Sequence, residues 1–441
     1  MDQEVLSQEI LVDLFRSAWL IETSRARLYG EWAGTDRSFA ADSEISDRRA
    51  EIVSGALGSV GQAPDSKHVE AHTEWMARTA GRTGEEVPLG AVFISRLGTW
   101  VDAHVADFLP EGGDEMKKLG EQERATLRFP DSMPTPPPFE PLVTPEIAPP
   151  GNVRFRFAIL ADLHFGSRQG DALAEAAISD INASGAALVV QLGDITDHGQ
   201  KEEFDKARKA LGRIESPLVT MMGNHDVLSI KEEKLTGREY YAGTFGREPD
   251  GVIVEHDGIR FAVLDSVEHA ASPLPAFDFV AGRFVEANAG AIVRGSLTAA
   301  QHEILAQVAE PDSLPAFIFL HHPPQPFLGF PPILFGLREV DTGRLHATID
   351  SGNVWGVFAG HTHRNARTRD FDGVPAHEVA IPRDYPFGYG LVDVTDRGYS
   401  FRFVQLSDKE LVARADAKVN PILRRYARGS DDERAFVWEK P

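Results

Sequence analysis

Cysteine is absent from this chain, which excludes disulfides, thiolate metal ligands and a cysteine nucleophile. Any metal must therefore rest on oxygen and imidazole donors. No apolar run approaches the roughly 20 residues that a bilayer span needs. The start, Met1-Asp2-Gln3-Glu4, is acidic where a secretory signal would be basic, so a cytoplasmic protein is expected. Basic charge is scarce: 45 Lys and Arg against 67 Asp and Glu leave a net charge of -22, which repels nucleic acid and anionic membrane surfaces at long range. The densest basic stretch, Arg424-Arg425-Tyr426-Ala427-Arg428, is largely neutralised by acidic residues from Asp431 onward. Neither a nucleic-acid surface nor a membrane segment is expected.

Proline, by contrast, is concentrated. Nine of the twenty-one positions from Pro130 to Pro150 are proline, so neither helix nor sheet runs through uninterrupted. With 441 residues the chain exceeds one usual core, and this strap divides it. Residues 1–129 carry apolar positions at helical spacing: Leu11, Leu14, Phe15 and Ala18, then Ile45, Ile52, Val53 and Ala56, then Leu89, Val92, Phe93, Leu97, Trp100 and Val101. With a helix over 115–128, three or four helices predict an all-α bundle. Residues 151–408 alternate strand and helix, which favours a mainly parallel core sheet with covering helices. Residues 409–441 are left as a C-terminal extension.

Five clusters of metal-binding side chains follow in order: Asp162-Leu163-His164, Gly193-Asp194, Gly223-Asn224-His225-Asp226, His321-His322-Pro323-Pro324 and Gly360-His361-Thr362-His363. Each falls just past a predicted strand, on the edge where open α/β sheets build their sites. Singly, each is weak; a Gly-Asp pair is an ordinary turn signal. Their conjunction supplies enough donors for two adjacent divalent cations, with Asp194 suited to bridge them. Two cations about 3.5 to 4 Å apart neutralise a phosphate ester, make hydroxide available near neutral pH and stabilise the leaving oxygen.

On these motifs, residues 154 to about 395 resemble the calcineurin-like metallophosphoesterase superfamily. The Gly193–Asp197 run, Gly223–Asp226 and the His-His-Pro-Pro run bring them nearest to its bacterial class III cyclic-nucleotide phosphodiesterase and glycerophosphodiesterase branch. The resemblance implies a two-sheet α/β sandwich. It also implies that Asp162, His164 and His363 bind one metal, that Asn224, His321 and His361 bind the other, and that Asp194 bridges both. His225 is implied as proton donor or charge stabiliser at the leaving oxygen, a task suited to imidazole, with Asp226 orienting nearby groups.

The expected function is dimetal hydrolysis of a small-molecule phosphate ester, most simply a phosphodiester attacked in line by a metal-bridging hydroxide. A phosphomonoesterase or nucleotide pyrophosphatase on the same site is the alternative within the enzyme class, and a ligand sensor or scaffold with a regulatory helical domain is the alternative outside it. Mn, Fe, Zn and Co all suit such ligands. His322 reads as a supporting histidine rather than an extra ligand, and His198 either touches substrate or faces solvent at a helix entry. The segment 323–335, rich in Pro and Phe, either walls the substrate pocket with Phe327 and Phe330 or forms a surface loop. In the bundle, Glu22 and His104 lie on apolar stripes and bring to mind a ferritin-like carboxylate site. Residues 1–130 lack the Glu-x-x-His repeats that such sites use, so a satisfied polar pair is preferred. Homo-oligomerisation through the bundle is a further expectation.

Overall fold

A computed structural model describes residues 8–34, 36–80, 87–126, 139–167, 169–227, 237–247, 250–267, 276–278, 283–285, 294–310, 314–324, 335–371, 373–419 and 421–440. The chain divides into two compact units, the N-terminal helices through Thr135 making the body of the first and residues from Pro136 onward most of the second.

The first unit contains α1 (Gln8–Ala33), α2 (Ala40–Ser59), α3 (Val69–Ala80), α4 (Val87–Val105) and α5 (Gly113–Thr126). The helix that periodicity misses is α3. Its buried side carries His72, Thr73, Trp75, Met76 and Thr79, with too few aliphatics for a recognisable stripe. Leu14, Phe15, Ala18, Val53, Ala56, Leu97 and Val101 are buried as their spacing predicts.

Ionic groups run through this core. Arg25, Arg49 and Glu22 are fully buried, and Glu123 and Asp102 nearly so. Arg25 pairs with Glu22 at 2.5 Å and with Glu123. Arg49 pairs with Glu123 at 3.0 Å, with Glu22 at 3.4 Å and with Asp102. A β-carbon at Gly98 would collide with the Arg25 guanidinium, and one at Gly120 with the Asp102 carboxylate. Glu22 is thus engaged by two arginines; the side chain of His104 lies outside the described residues.

In the second unit the strands are β1 (Phe155–Leu160), β2 (Leu188–Gln191), β3 (Leu218–Thr220), β4 (Val252–His256) and β5 (Ile259–Val263). A hairpin of β6 (Ala276–Asp278) and β7 (Arg283–Val285) follows in sequence but groups with the first unit. Then come β8 (Ala316–Leu320), β9 (Val354–Ala359), β10 (Ala366–Phe371), β11 (Val374–Glu378), β12 (Gly388–Val394), β13 (Gly398–Gln405) and β14 (Ala435–Glu439). The helices are α6 (Gly170–Ala183), α7 (Lys201–Leu211), α8 (Gly237–Phe245), α9 (Ala299–Val308), α10 (Glu339–Ser351), α11 (Lys409–Asp416), α12 (Pro421–Arg428) and α13 (Asp431–Arg434).

Two six-stranded sheets result, in the orders β14-β13-β12-β1-β2-β3 and β10-β11-β9-β8-β5-β4. Both are mixed rather than mainly parallel. The runs β1-β2-β3 and β11-β9-β8-β5 are parallel, but β12, β13 and β14 join antiparallel. The link from Val394 to Gly398 is too short for the crossover that a parallel pair requires. Phe157, Phe261, Phe317, Phe319, Phe358, Tyr399 and Phe401 fill the space between the sheets, giving the two-sheet α/β sandwich. Residues 139–150 form neither helix nor strand; Leu142 N–H donates to the Gln405 side chain at 3.1 Å and Thr144 Oγ donates to Phe403 O at 2.8 Å. The sheet also continues past residue 408, since β14 pairs with β13.

Candidate metal centre

Each motif begins within four residues of a strand end: Asp162 after β1, Asp194 after β2, Asn224 after β3, His321 after β8 and Gly360 after β9. These strands run parallel within their sheets, so their carboxyl ends share an edge. The backbone turns sharply there. Asp162, His164, Asp194, His361 and His363 have φ of 45°, 48°, 47°, 69° and 54°, a left-handed region disfavoured for residues with a β-carbon. Local cost of this kind persists where surrounding structure enforces it, commonly at functional sites.

The glycines before the ligands leave room for their neighbours. A β-carbon at Gly193 would stand 2.7 Å from His321 Nδ1, one at Gly360 would stand 2.5 Å from Asp162 Oδ2, and one at Gly223 would overlap the Asp194 carboxylate. Glycine is required here for space, and at Gly193 also for its φ of 88°.

All seven residues expected to bind metal are brought together. His164 Nε2 lies 3.1 Å from His363 Nε2, which lies 3.5 Å from Asp162 Oδ1. On the other side His321 Nε2 lies 3.0 Å from Asn224 Oδ1 and 3.1 Å from His361 Nδ1. Asp194 Oδ2 stands between the groups, 3.7 Å from His164 Nε2 and 3.5 Å from His321 Nε2. Asp162, His164, Asp194 and His363 form one cluster able to hold a metal ion, and His321, His322 and His361 form another.

The outward ring nitrogens show which way these imidazoles face. His321 Nδ1 bonds to the carbonyl of Leu192 at 2.8 Å, and His363 Nδ1 to Asp384 Oδ2 at 3.1 Å. A nitrogen opposite an acceptor carries the proton, so a neutral His321 turns the lone pair of Nε2 toward the site, as His363 would once its second proton is displaced. Burial pushes His164 and His361 well below the usual imidazole range, leaving both neutral. Burial opposes a proton on His363 too, yet hydrogen bonds to Asp162 and Asp384 raise it to about 9.

Asp226 accepts from Ile195 N, Thr196 N, Thr196 Oγ and Gly223 N at 2.7 to 3.0 Å, tying the Asp194 loop to the Asn224 loop. Its burial, with Asp194 close by, pushes it up to about 7. His225 N–H donates to Asp194 Oδ1 at 2.9 Å, and its Nδ1 bonds to Asp197 O at 2.8 Å. The imidazoles of His225 and His164 are 4.7 Å apart. His198 stands at the entry to α7, its Nδ1 3.3 Å from both Asp197 Oδ2 and Glu203 Oε1. His322 is fully buried, bonds Ser266 Oγ through Nδ1 at 2.9 Å and lies 4.6 Å from the His361 ring. Phe327 and Phe330 lie outside the described residues.

Sequence reasoning misses four residues beside the site. Asp197, three positions after Asp194, faces His164 Nδ1 at 3.1 Å. Arg383 and Asp384 arrive from the loop after β11, which no motif marks. Tyr426, on α12, donates its hydroxyl to Thr362 O at 2.7 Å, and Asn365 N–H donates to Ala427 O at 3.1 Å. The expected extension therefore buttresses the loop that carries His361 and His363.

This geometry has relatives. Residues 155–365 match the family described as calcineurin-like phosphoesterase. The glycerophosphodiester phosphodiesterase GpdQ of Enterobacter lignolyticus is 27% identical over 236 residues, 48% of this chain and 72% of that protein. A probable cyclic nucleotide phosphodiesterase of Rhodopseudomonas palustris is 27% identical over 244 residues, 50% of this chain and 76% of that one. Among solved structures, a dimetal phosphatase from Danio rerio superposes with a TM-score of 0.42 at 17% identity, covering 58% of this chain and 98% of its own. Residues 155–365 form a calcineurin-like phosphoesterase domain. No helix among the described residues is long and apolar enough to cross a membrane.

Proposed function

We propose that the protein is a dimetal phosphodiesterase acting on small-molecule diesters. One observation carries the reading: His321 Nε2, a lone-pair donor because Nδ1 is given to Leu192, faces the acceptor oxygen of Asn224 at 3.0 Å. Two acceptors at that distance repel unless a cation or a proton lies between them. Asp162, His164 and His363 likewise crowd their donor atoms onto one point, and the glycine-made spaces keep these donors close. An oxygen and imidazole set of this kind fits Mn, Fe, Zn or Co.

Asp162, His164 and His363 would hold one ion, Asn224, His321 and His361 the other, and Asp194 both. When bound, the pair would supply a water acidified to near neutral pH and positive charge for the oxygens of the transferring phosphorus. The chain's own residues do the rest. Asp226 fixes the Asp194 and Asn224 loops to one another. With Nδ1 held by Asp197 O, His225 has only Nε2 left to exchange a proton, and in its protonated form it would give that proton to the leaving alkoxide oxygen. The phosphodiesterase names of the two relatives support a diester substrate.

The test compares kcat/KM for bis-nitrophenyl phosphate and nitrophenyl phosphate after loading with each of the four metals. A clear preference for the diester is expected. A preference for the monoester under every metal would replace the reading with a phosphatase.

A further inference from the structure

His164 and His363, which would share one cation, each turn the other ring nitrogen to a carboxylate: Nδ1 of His164 faces Asp197 Oδ1 at 3.1 Å, and Nδ1 of His363 bonds Asp384 Oδ2 at 3.1 Å. The two carboxylates come from distant parts of the chain and meet at one guanidinium. Arg383 Nη1 donates to Asp197 Oδ1 at 2.8 Å, and Arg383 Nε lies 3.4 Å from Asp384 Oδ2. A closed ring follows: His164, Asp197, Arg383, Asp384, His363, and back across the 3.1 Å gap between the Nε2 atoms. The other pocket is built differently, since His321 is oriented by a backbone carbonyl, that of Leu192.

The geometry points to Arg383 as a positioning residue for one of the two cations, an inference that rests on the metal-centre reading above. Its charge lets Asp197 and Asp384 stand beside Asp162 and Asp194 without mutual repulsion driving them apart. Held in place, Asp384 accepts from His363 Nδ1 and Asp197 sets its carboxylate 3.1 Å from His164 Nδ1, so both imidazoles keep the tilt that aims Nε2 inward. A lysine offers one compact ammonium in place of a planar group whose separate nitrogens reach two partners. Removing Arg383 therefore loosens the His164 and His363 pocket and spares the one at Asn224, His321 and His361.

The experiment titrates Mn2+ into the metal-stripped full chain by calorimetry, with electron paramagnetic resonance to detect coupled ions, for the wild type, Arg383→Met and Arg383→Lys. Two ions are expected in the wild type. In Arg383→Met one site weakens about 10- to 100-fold, the other keeps its affinity and the coupled signal disappears; Arg383→Lys recovers part of the loss. Equal affinities at both sites in Arg383→Met would overturn the inference alone, as would an equal fall at both, which marks general support of the fold. If Arg383→Met does not fold, Asp384→Asn, which removes one arm of the ring, decides by the same criterion. A wild type that takes up no Mn2+ would instead overturn the metal-centre reading, and this inference with it.

Discussion

Each unit of this protein buries a cluster of charged and polar side chains, and the two clusters are completed in opposite ways. In the helical unit Glu22, Glu123 and Asp102 meet Arg25 and Arg49, so the countercharge is covalently part of the chain. In the sandwich Asp162, Asp194 and Asn224 meet imidazoles that present lone pairs. Arg383, the arginine beside them, is spent on Asp197 and Asp384. The first cluster is closed and the second is open. Buried carboxylates alone therefore do not mark a metal site; among the described residues, the proposed one is set apart by imidazoles where the other cluster has arginines.

The contrast breaks most sharply at Asp194. Asp194→Ala is expected to lower kcat by about 10⁴-fold or more and to lose both ions by elemental analysis; full activity would end the dimetal mechanism. Next, His225→Ala is expected to keep two ions while kcat falls about 10² to 10⁴-fold, which separates proton transfer from metal retention. In the closed cluster, Arg49→Met leaves buried carboxylates without their partner and should cost about 3–5 kcal/mol in thermal or denaturant unfolding of the helical unit, with metal content unchanged. A loss below about 1 kcal/mol would place this network with ion pairs of little net worth.

At neutral pH the smallest effect belongs to a buried polar group outside both clusters, and it grows only as pH falls. His377 sits among Phe358, Phe401 and Phe436, and neither ring nitrogen has a hydrogen-bond partner. Burial, with Arg367 nearby, pushes it down to about 3, against about 6.5 in the unfolded chain. Between those values the unfolded state binds the extra proton. Stability is therefore retained above pH 6.5 and lost as pH falls toward 3, by up to about 1.4 kcal/mol per pH unit. His377→Phe should flatten that part of the curve of melting temperature against pH; an unchanged slope would remove the assignment.

The site was more legible than the scaffold around it. Asp162, Asp194, Asn224, His321 and His361 could be placed because each follows a buried apolar strand, a signal local to a few residues. Arg383, Asp384 and Tyr426 could not, because their relation to the motifs is made only by the fold. Strand β10 gives no apolar signal, since Ala366–Phe371 reads Ala-Arg-Thr-Arg-Asp-Phe, the charged composition of an edge strand. The mixed pairing arises where strands follow one another with no helix between them, at β4–β5, β10–β11 and β12–β13, against the parallel order that alternation suggests. In the bundle, Glu22 lies on an apolar stripe as expected and Arg25 stands three residues on along α1, but the meeting with Arg49 on α2 is made only by the fold.

The bond from Tyr426 to the carbonyl of Thr362 has a bearing on biosynthesis. A ribosome that has translated as far as Gln405 has already made every candidate ligand, yet the loop bearing His361 and His363 still lacks α12 beneath it and β14 beside β13. Metal loading should then be a late event, after α12 and β14 have emerged and docked. Nascent or clipped chains would be spared from capturing ions prematurely.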